Sequence, residues 1–169
     1  IETSVNPSNV VYLGTKYKKV FRIYDANTGD PAIVELPYPL TGSNSYVYDI
    51  AVNPDNADEV MIVYSNYSVY SLFHSMYGGQ SWNKVAGNLE QNHSGSGNGP
   101  YCRTEKIIPL GNSTLYLVGT SVGLFGTATL DDNNTVWEQV GATEIGAVVV
   151  EFLEYRENDG LLVVATHGN

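Results

Sequence analysis

The chain is poor in cysteine, in basic residues and in long apolar runs, and each shortage narrows what it can be. Cys102 is the single cysteine in 169 residues, so no intrachain disulfide holds the fold, and the compartment's redox state leaves no mark on it. The residue reads as a small buried side chain. A reactive thiol would need a basic partner, and neighbouring Arg103 would point to the opposite face of a strand. Eight Lys and Arg stand against 18 Asp and Glu, for a net charge of −10. The one basic cluster, Lys16-Tyr17-Lys18-Lys19, is too small an electrostatic footprint for nucleic acid. No apolar stretch approaches the roughly 18 residues of a membrane span. No signal peptide is visible either, but the chain opens on Ile1-Glu2-Thr3 without Met. That start reads as the interior of a longer protein, where a missing targeting segment carries no information.

What is present points to β-structure. There are 13 Tyr, 17 Gly and 7 Pro, many Val and Ile, and no helical run of Ala, Glu, Lys and Leu. Self-similarity is stronger still. Val5-Asn6-Pro7 recurs as Val52-Asn53-Pro54 and, loosely, as Ile107-Ile108-Pro109. Apolar strands follow each copy: Val10-Val11-Tyr12-Leu13, Val60-Met61-Ile62-Val63-Tyr64 and Leu115-Tyr116-Leu117-Val118, with Leu161-Leu162-Val163-Val164 as a fourth. Third strands are expected at Val20 to Ile23, Val69 to Leu72 and Val122 to Phe125. Closing strands are expected at Ala32 to Leu36, Trp82 to Val85 and Trp137 to Val140.

The repeat is 47 residues from Pro7 to Pro54 and 55 from Pro54 to Pro109. Four-stranded units of about 40–50 residues are propeller blades. The second strands are continuously apolar, as suits strands covered on both faces by neighbouring blades. The pattern predicts an all-β propeller portion of about three and a half blades, at 1–36, 46–86, 103–140 and, as a first half, 147–169. Residues 87–101 form an inserted loop. Three and a half blades do not close a ring, so the rest is expected from the parent chain or from another chain.

The turn before the second closing strand reads Ser75-Met76-Tyr77-Gly78-Gly79-Gln80-Ser81-Trp82. Ser75, Gly79, Ser81 and Trp82 fall on Ser-x-Asp-x-Gly-x-Thr-Trp, so the chain resembles the Asp-box, or BNR-repeat, propellers, with Tyr77 at the acidic position. In that family the box is a folding device. Aligned on Gly79, the other turns offer Gly29 in Asp25-Ala26-Asn27-Thr28-Gly29-Asp30 and Asn134 in Asp131-Asp132-Asn133-Asn134. All three positions are expected to take positive φ. Trp82 and Trp137 occupy matching places, where an indole would cover the turn and pack between blades. The stretch from Leu153 to Gly168 resembles a late blade of secreted bacterial propellers, sortilin-like and xyloglucanase-like, many from Bacteroidetes and many followed by a C-terminal sorting domain. The resemblance implies a secreted or cell-surface protein.

It also implies a ligand face where second-to-third-strand turns and inter-blade connections emerge. Tyr17, Tyr38, Tyr46, Tyr67 and Tyr101 fall in or beside loops of that face. His93 lies in the long Gly-, Asn- and Ser-rich loop 87–101, which reads either as solvated surface or as a binding loop. Tyr38, Tyr46, Tyr67, His93 and Tyr101 are the candidate binding residues, for a polysaccharide stacked on the rings or for a protein ligand.

Catalytic readings are weaker. A sialidase needs three arginines on one carboxylate, yet Arg22 is predicted mid-strand and Arg156 in a turn on the opposite face. A xyloglucanase-type enzyme needs two carboxylates about 6.5–9.5 Å apart. Asp49, Glu105 and Glu144 lie near first strands, but no family motif marks them, and part of such a site could lie outside this chain. His74, His93 and His167 lack ligand spacing, and Asp131-Asp132 lies in a turn, so no metal and no cofactor is expected. Four N-glycosylation sequons begin at Asn66, Asn92, Asn112 and Asn133; in an Asn-rich chain such matches arise freely. The expected role is a non-catalytic binding or scaffold segment. A share of a glycoside hydrolase and a sortilin-like peptide-binding propeller are the alternatives.

Overall fold

The computed structural model describes residues 1–39, 45–65 and 68–167. Strands β1 (Glu2–Thr3), β2 (Val11–Gly14), β3 (Val20–Tyr24) and β4 (Ala32–Glu35) form one antiparallel sheet in chain order. The next is β5 (Tyr46–Asn53), β6 (Asn56–Ser65), β7 (Leu72–Ser75) and β8 (Asn83–Lys84). The third is β9 (Cys102–Leu110), β10 (Ser113–Thr120), β11 (Gly123–Thr127) and β12 (Glu138–Val140). A two-stranded sheet, β13 (Val149–Arg156) with β14 (Leu161–His167), completes the described chain. The first strands lie side by side, β5 against both β1 and β9, and β9 against β13. The sheets are therefore propeller-like blades arrayed about an axis and not closed into a full ring.

The burial pattern follows from this array. In β6, Val60, Met61, Ile62 and Val63 are all fully buried, because the central blade has a neighbour on each side. In β14 the same kind of apolar run alternates between exposed and half-buried, because among the described residues a blade lies on one side of it only. Each fully buried Val, Ile or Leu contributes about 1.5–3 kcal/mol, so the inter-blade layers hold the array together.

Tyrosines tie those layers. The Tyr12 hydroxyl donates to the Ala57 carbonyl (2.7 Å), and that of Tyr64 to the Lys18 carbonyl (2.8 Å), both between the first two sheets. Tyr70 reaches Asn133 (3.2 Å) and Tyr116 reaches Glu59 (2.7 Å), both between the second and third. Burial pushes all four phenols up, Tyr70 to about 12, so at neutral pH each is a neutral donor.

Two expectations change. The third strand of the second blade begins at Leu72 and not at Val69. Ser68 turns the chain at φ 59°, and the Ser71 amide is taken by the Glu90 carboxylate instead of a ladder. The three box turns are also not equivalent. Gly79 has φ 82°, but Gly29 and Asn134 are not among the positive-φ residues, where Asp25 (φ 50°) and Asp132 (φ 44°) stand instead. Thr28 closes the first turn on the Asp25 carbonyl, and Thr135 closes the third on that of Asp132. The left-handed residue thus falls earlier in both.

Candidate binding face

Antiparallel register places the start of each first strand beside the end of the second: Tyr46 opposite Ser65, Cys102 opposite Thr120, and Val149 opposite His167. Residues at these positions share one end of the array. Tyr46 and Tyr48 project from the start of β5, and Tyr101 and Arg103 from the start of β9.

They meet there. The Tyr46 and Tyr101 hydroxyls lie 3.0 Å apart. The Tyr48 ring is 6.0 Å from that of Tyr46 and stands edge-on to Tyr101 at 6.3 Å. The Arg103 guanidinium lies 5.2 Å from the centre of the Tyr101 ring and pairs with Glu151 on β13 at 2.6 Å. A longer 3.5 Å contact joins it to the Tyr48 hydroxyl. His167, at the end of β14, lies 3.9 Å from the other Glu151 oxygen. Burial, followed by the bond to Tyr46, pushes the Tyr101 phenol up. Tyr48 is 39% exposed, so the cluster presents rings to solvent while its edges are fixed. Offset and edge-on ring contacts of this kind add about 0.5–1.5 kcal/mol each, which orders the surface before any ligand arrives.

Of the residues singled out in the sequence, the structure joins Tyr46 and Tyr101. Tyr38 sits apart, with Lys18 Nζ over its ring at 5.0 Å. His93 belongs to the inserted loop, where its carbonyl accepts from Lys84 at 3.0 Å. Tyr67 lies outside the described residues. Tyr48, Arg103 and Glu151 were missed as members. The i, i+2 spacing of Tyr46 with Tyr48, and of Tyr101 with Arg103, would have found the first two; Glu151 comes from another blade and left no such signal.

The box turn lies between the second closing strand and the first blade. Ser75 Oγ accepts from the amides of Tyr77 (3.1 Å) and Gly79 (2.9 Å), which does locally what an N-cap serine does for a helix. Ser81 is exposed on the same turn. Arg22, buried in β3, pairs with Asp58 at 2.6 Å and lies where a Gly78 side chain would be, its Nη1 only 1.7 Å from that Cβ position. Trp82 and Trp137 each bond a carbonyl of the preceding sheet.

The acids singled out in the sequence are each committed to other partners or surroundings. Glu105 is fully buried and neither carboxylate oxygen has a hydrogen-bond partner. Asp49 is occupied by the Thr104 hydroxyl at 2.7 Å and the Glu105 amide at 3.3 Å. Glu144 is exposed in the turn between Gly141 and Gly146. Each arginine is held by its own acid: Arg22 by Asp58, Arg103 by Glu151, Arg156 by Asp159. Among the described residues, no three His, Cys, Asp or Glu side chains gather as a metal ion would require, and no helix is long and apolar enough to cross a membrane.

No family model and no curated protein matches the sequence. Solved structures do match in fold. A structure of YCF48 bound to D1 peptide aligns with TM-score 0.61 at 20% identity, over 98% of this chain and 47% of that one. The GH74 enzyme of Niastella koreensis aligns with TM-score 0.59 at 16% identity, over 96% of this chain and 25% of that one. The chain thus spans about half of the first and a quarter of the second. One is a peptide-bound protein and the other an enzyme, so the fold serves either use.

Proposed function

We propose that this chain is a non-catalytic binding portion of an Asp-box propeller, docking a protein or polysaccharide ligand on the face of Tyr46, Tyr48, Tyr101 and Arg103. The observation that carries the reading is this cluster: three rings and a guanidinium, held in place by the Glu151 pair and partly open to solvent. Aromatic residues and arginine are what binding surfaces concentrate, because they offer large contact area at low entropic cost. Burial of Glu105 speaks against hydrolysis by the acids of the first strands, since a general acid must reach the glycosidic oxygen. Placement in a secreted or cell-surface protein, with further blades from the parent chain or another chain, belongs to the same proposal and rests on the resemblance of residues 153–168.

The test uses paired glycan and peptide arrays probed with the wild-type chain and with Tyr48→Ala. We expect hits that weaken about tenfold or more on loss of one ring, the scale of a residue worth over 1 kcal/mol, with melting unchanged. Hits untouched by Tyr48→Ala, or release of reducing ends from a bound polysaccharide, would overturn the reading.

A further inference from the structure

The inserted loop builds a second feature beside the aromatic face. Residues 87–101 leave the second blade through a short 3₁₀ turn, Gly87–Leu89, and fold back on it. Leu89 is buried, and Gly95 approaches the backbone of Val69 and Tyr70 so closely that a Cβ there would lie 2.1 Å from the Tyr70 nitrogen. Gly97 and Gly99 are equally crowded, against Gln91 Oε1 (2.3 Å) and the Leu89 carbonyl (2.5 Å). The loop is therefore tightly packed at its glycines, and a recess opens beside it. That recess is small, with a volume of about 60 Å³ and open to solvent, and is lined by Val69, Ser71, Glu90 and Tyr101 among others.

Among the described residues, Glu90 is the only carboxylate lining it. Its Oε1 accepts from both the amide (2.8 Å) and the hydroxyl (2.7 Å) of Ser71, which fixes the carboxylate in position. Lys84, the cation whose charge reaches it, is turned aside to the His93 carbonyl (3.0 Å) and the Tyr70 ring (4.7 Å). A carboxylate fixed in a recess that Tyr101 also lines, in a chain of net charge −10, makes a site for a cation.

We propose that this recess takes the lysine side chain of a protein ligand, whose ammonium pairs with Glu90 and whose methylenes pass along Tyr101. The proposal rests on the binding reading above and deepens it, because Tyr101 is shared by the recess and the aromatic face. An ammonium fits better than a guanidinium: it is a compact point charge on an unbranched stem, whereas arginine presents a broad planar fork. A neutral polysaccharide has no such group, so the recess favours the protein ligand.

The test is titration of the ¹⁵N-labelled chain, followed by amide shifts, with three blocked tripeptides: acetyl-Gly-Lys-Gly-amide, its norleucine analogue and its Nε-acetyl-lysine analogue. The lysine peptide is expected to shift the amides of Ser71, Gly95 and Tyr101, and to bind at least tenfold more tightly than either neutral analogue. Glu90→Gln, which keeps an acceptor for Ser71, is expected to abolish that preference. Equal binding of the norleucine peptide, shifts confined to other parts of the chain, or a lysine preference surviving Glu90→Gln would each overturn the assignment. Failure of the aromatic-face reading would be seen separately, as array hits insensitive to Tyr48→Ala. The tripeptide titration decides the recess in either case.

Discussion

Trp137 donates its indole Nε1–H to the main-chain carbonyl of Val85 at 2.8 Å, across the boundary between the third and second sheets. Asn88 clasps the backbone of the same tryptophan from both sides, accepting from its amide at 2.7 Å and donating to its carbonyl at 3.0 Å. One blade earlier, Trp82 does the same with the Pro37 carbonyl at 2.7 Å. Each closing strand is thereby tied to the end of the blade before it.

The two ties should differ in strength because Trp137 is buried and Trp82 is not. Trp137→Phe leaves the Val85 carbonyl unpaired and out of water, at a cost of about 1–3 kcal/mol. Trp82→Phe opens a site that water can reach, and should cost under ~1 kcal/mol. Urea unfolding of the two variants measures both, and equal losses would refute the distinction.

The non-equivalence of the turns has its own consequence. Gly79→Ala puts a Cβ 2.5 Å from Leu36 Cδ1 at a left-handed φ, which should destabilise by at least about 1–2 kcal/mol. Gly29→Ala meets open space at an ordinary φ and should stay within ~0.5 kcal/mol of the parent. Thermal melts of the pair separate these outcomes; a large loss at Gly29 would restore the shared-turn expectation.

Two buried glutamates should give opposite pH dependence. Glu59 loses solvation but accepts from His74 Nε2 (3.1 Å), the Tyr116 hydroxyl (2.7 Å) and Asn53 Nδ2 (2.6 Å), and these bonds hold it below the usual carboxylate range. The folded chain then binds this proton less readily than the unfolded one. The stabilisation is full above the ordinary glutamate pKa and is lost as pH falls through the depressed value. Burial, with Asp49 adding to it, pushes Glu105 well up; its stability contribution declines as pH rises from the ordinary value through the raised one. Glu59→Gln should therefore be most destabilising at neutral pH and less so in acid. Glu105→Gln should gain on the parent as pH rises. Denaturation midpoints from pH 4 to pH 8 check both signs.

The sequence made the strands legible because each blade repeats an apolar second strand and, in two blades, a tryptophan at the closing strand. It hid the ties between blades. The hydroxyl bonds of Tyr12 and Tyr64 span 45 and 46 residues, and Glu59 collects Tyr116 from 57 residues away. No local pattern distinguishes such a tyrosine from one that merely fits a pleated surface. The binding face was half legible for the same reason. Tyr46 and Tyr101 lie beside recognisable connections, but their meeting depends on packing of β5 against β9, and Glu151 enters only when β13 is laid beside β9. The turns misled because Thr28 and Thr135 close them by bonds that an alignment on glycine does not register.

The β14 edge carries the last expectation. Among the described residues, β14 pairs only with β13, and Leu161 and Val163 on it are 46% and 50% exposed, beside Phe152 at 51% on β13. An apolar strand with a free row of amides and carbonyls is a template for another strand. The β4 edge is apolar too, with Ile33 and Val34 63% and 38% exposed, but it carries Glu35 paired with Lys19 at 3.0 Å, a charge that β14 lacks from Leu161 to Thr166. The 169-residue chain should therefore self-associate through β14 as its concentration rises. Val163→Lys places a charge on that edge without disturbing a buried side chain, and should shift the sedimentation profile towards monomer with the melting temperature unchanged. A wild-type chain that sediments as a monomer at every concentration would show that the exposed edge is protected by twist alone.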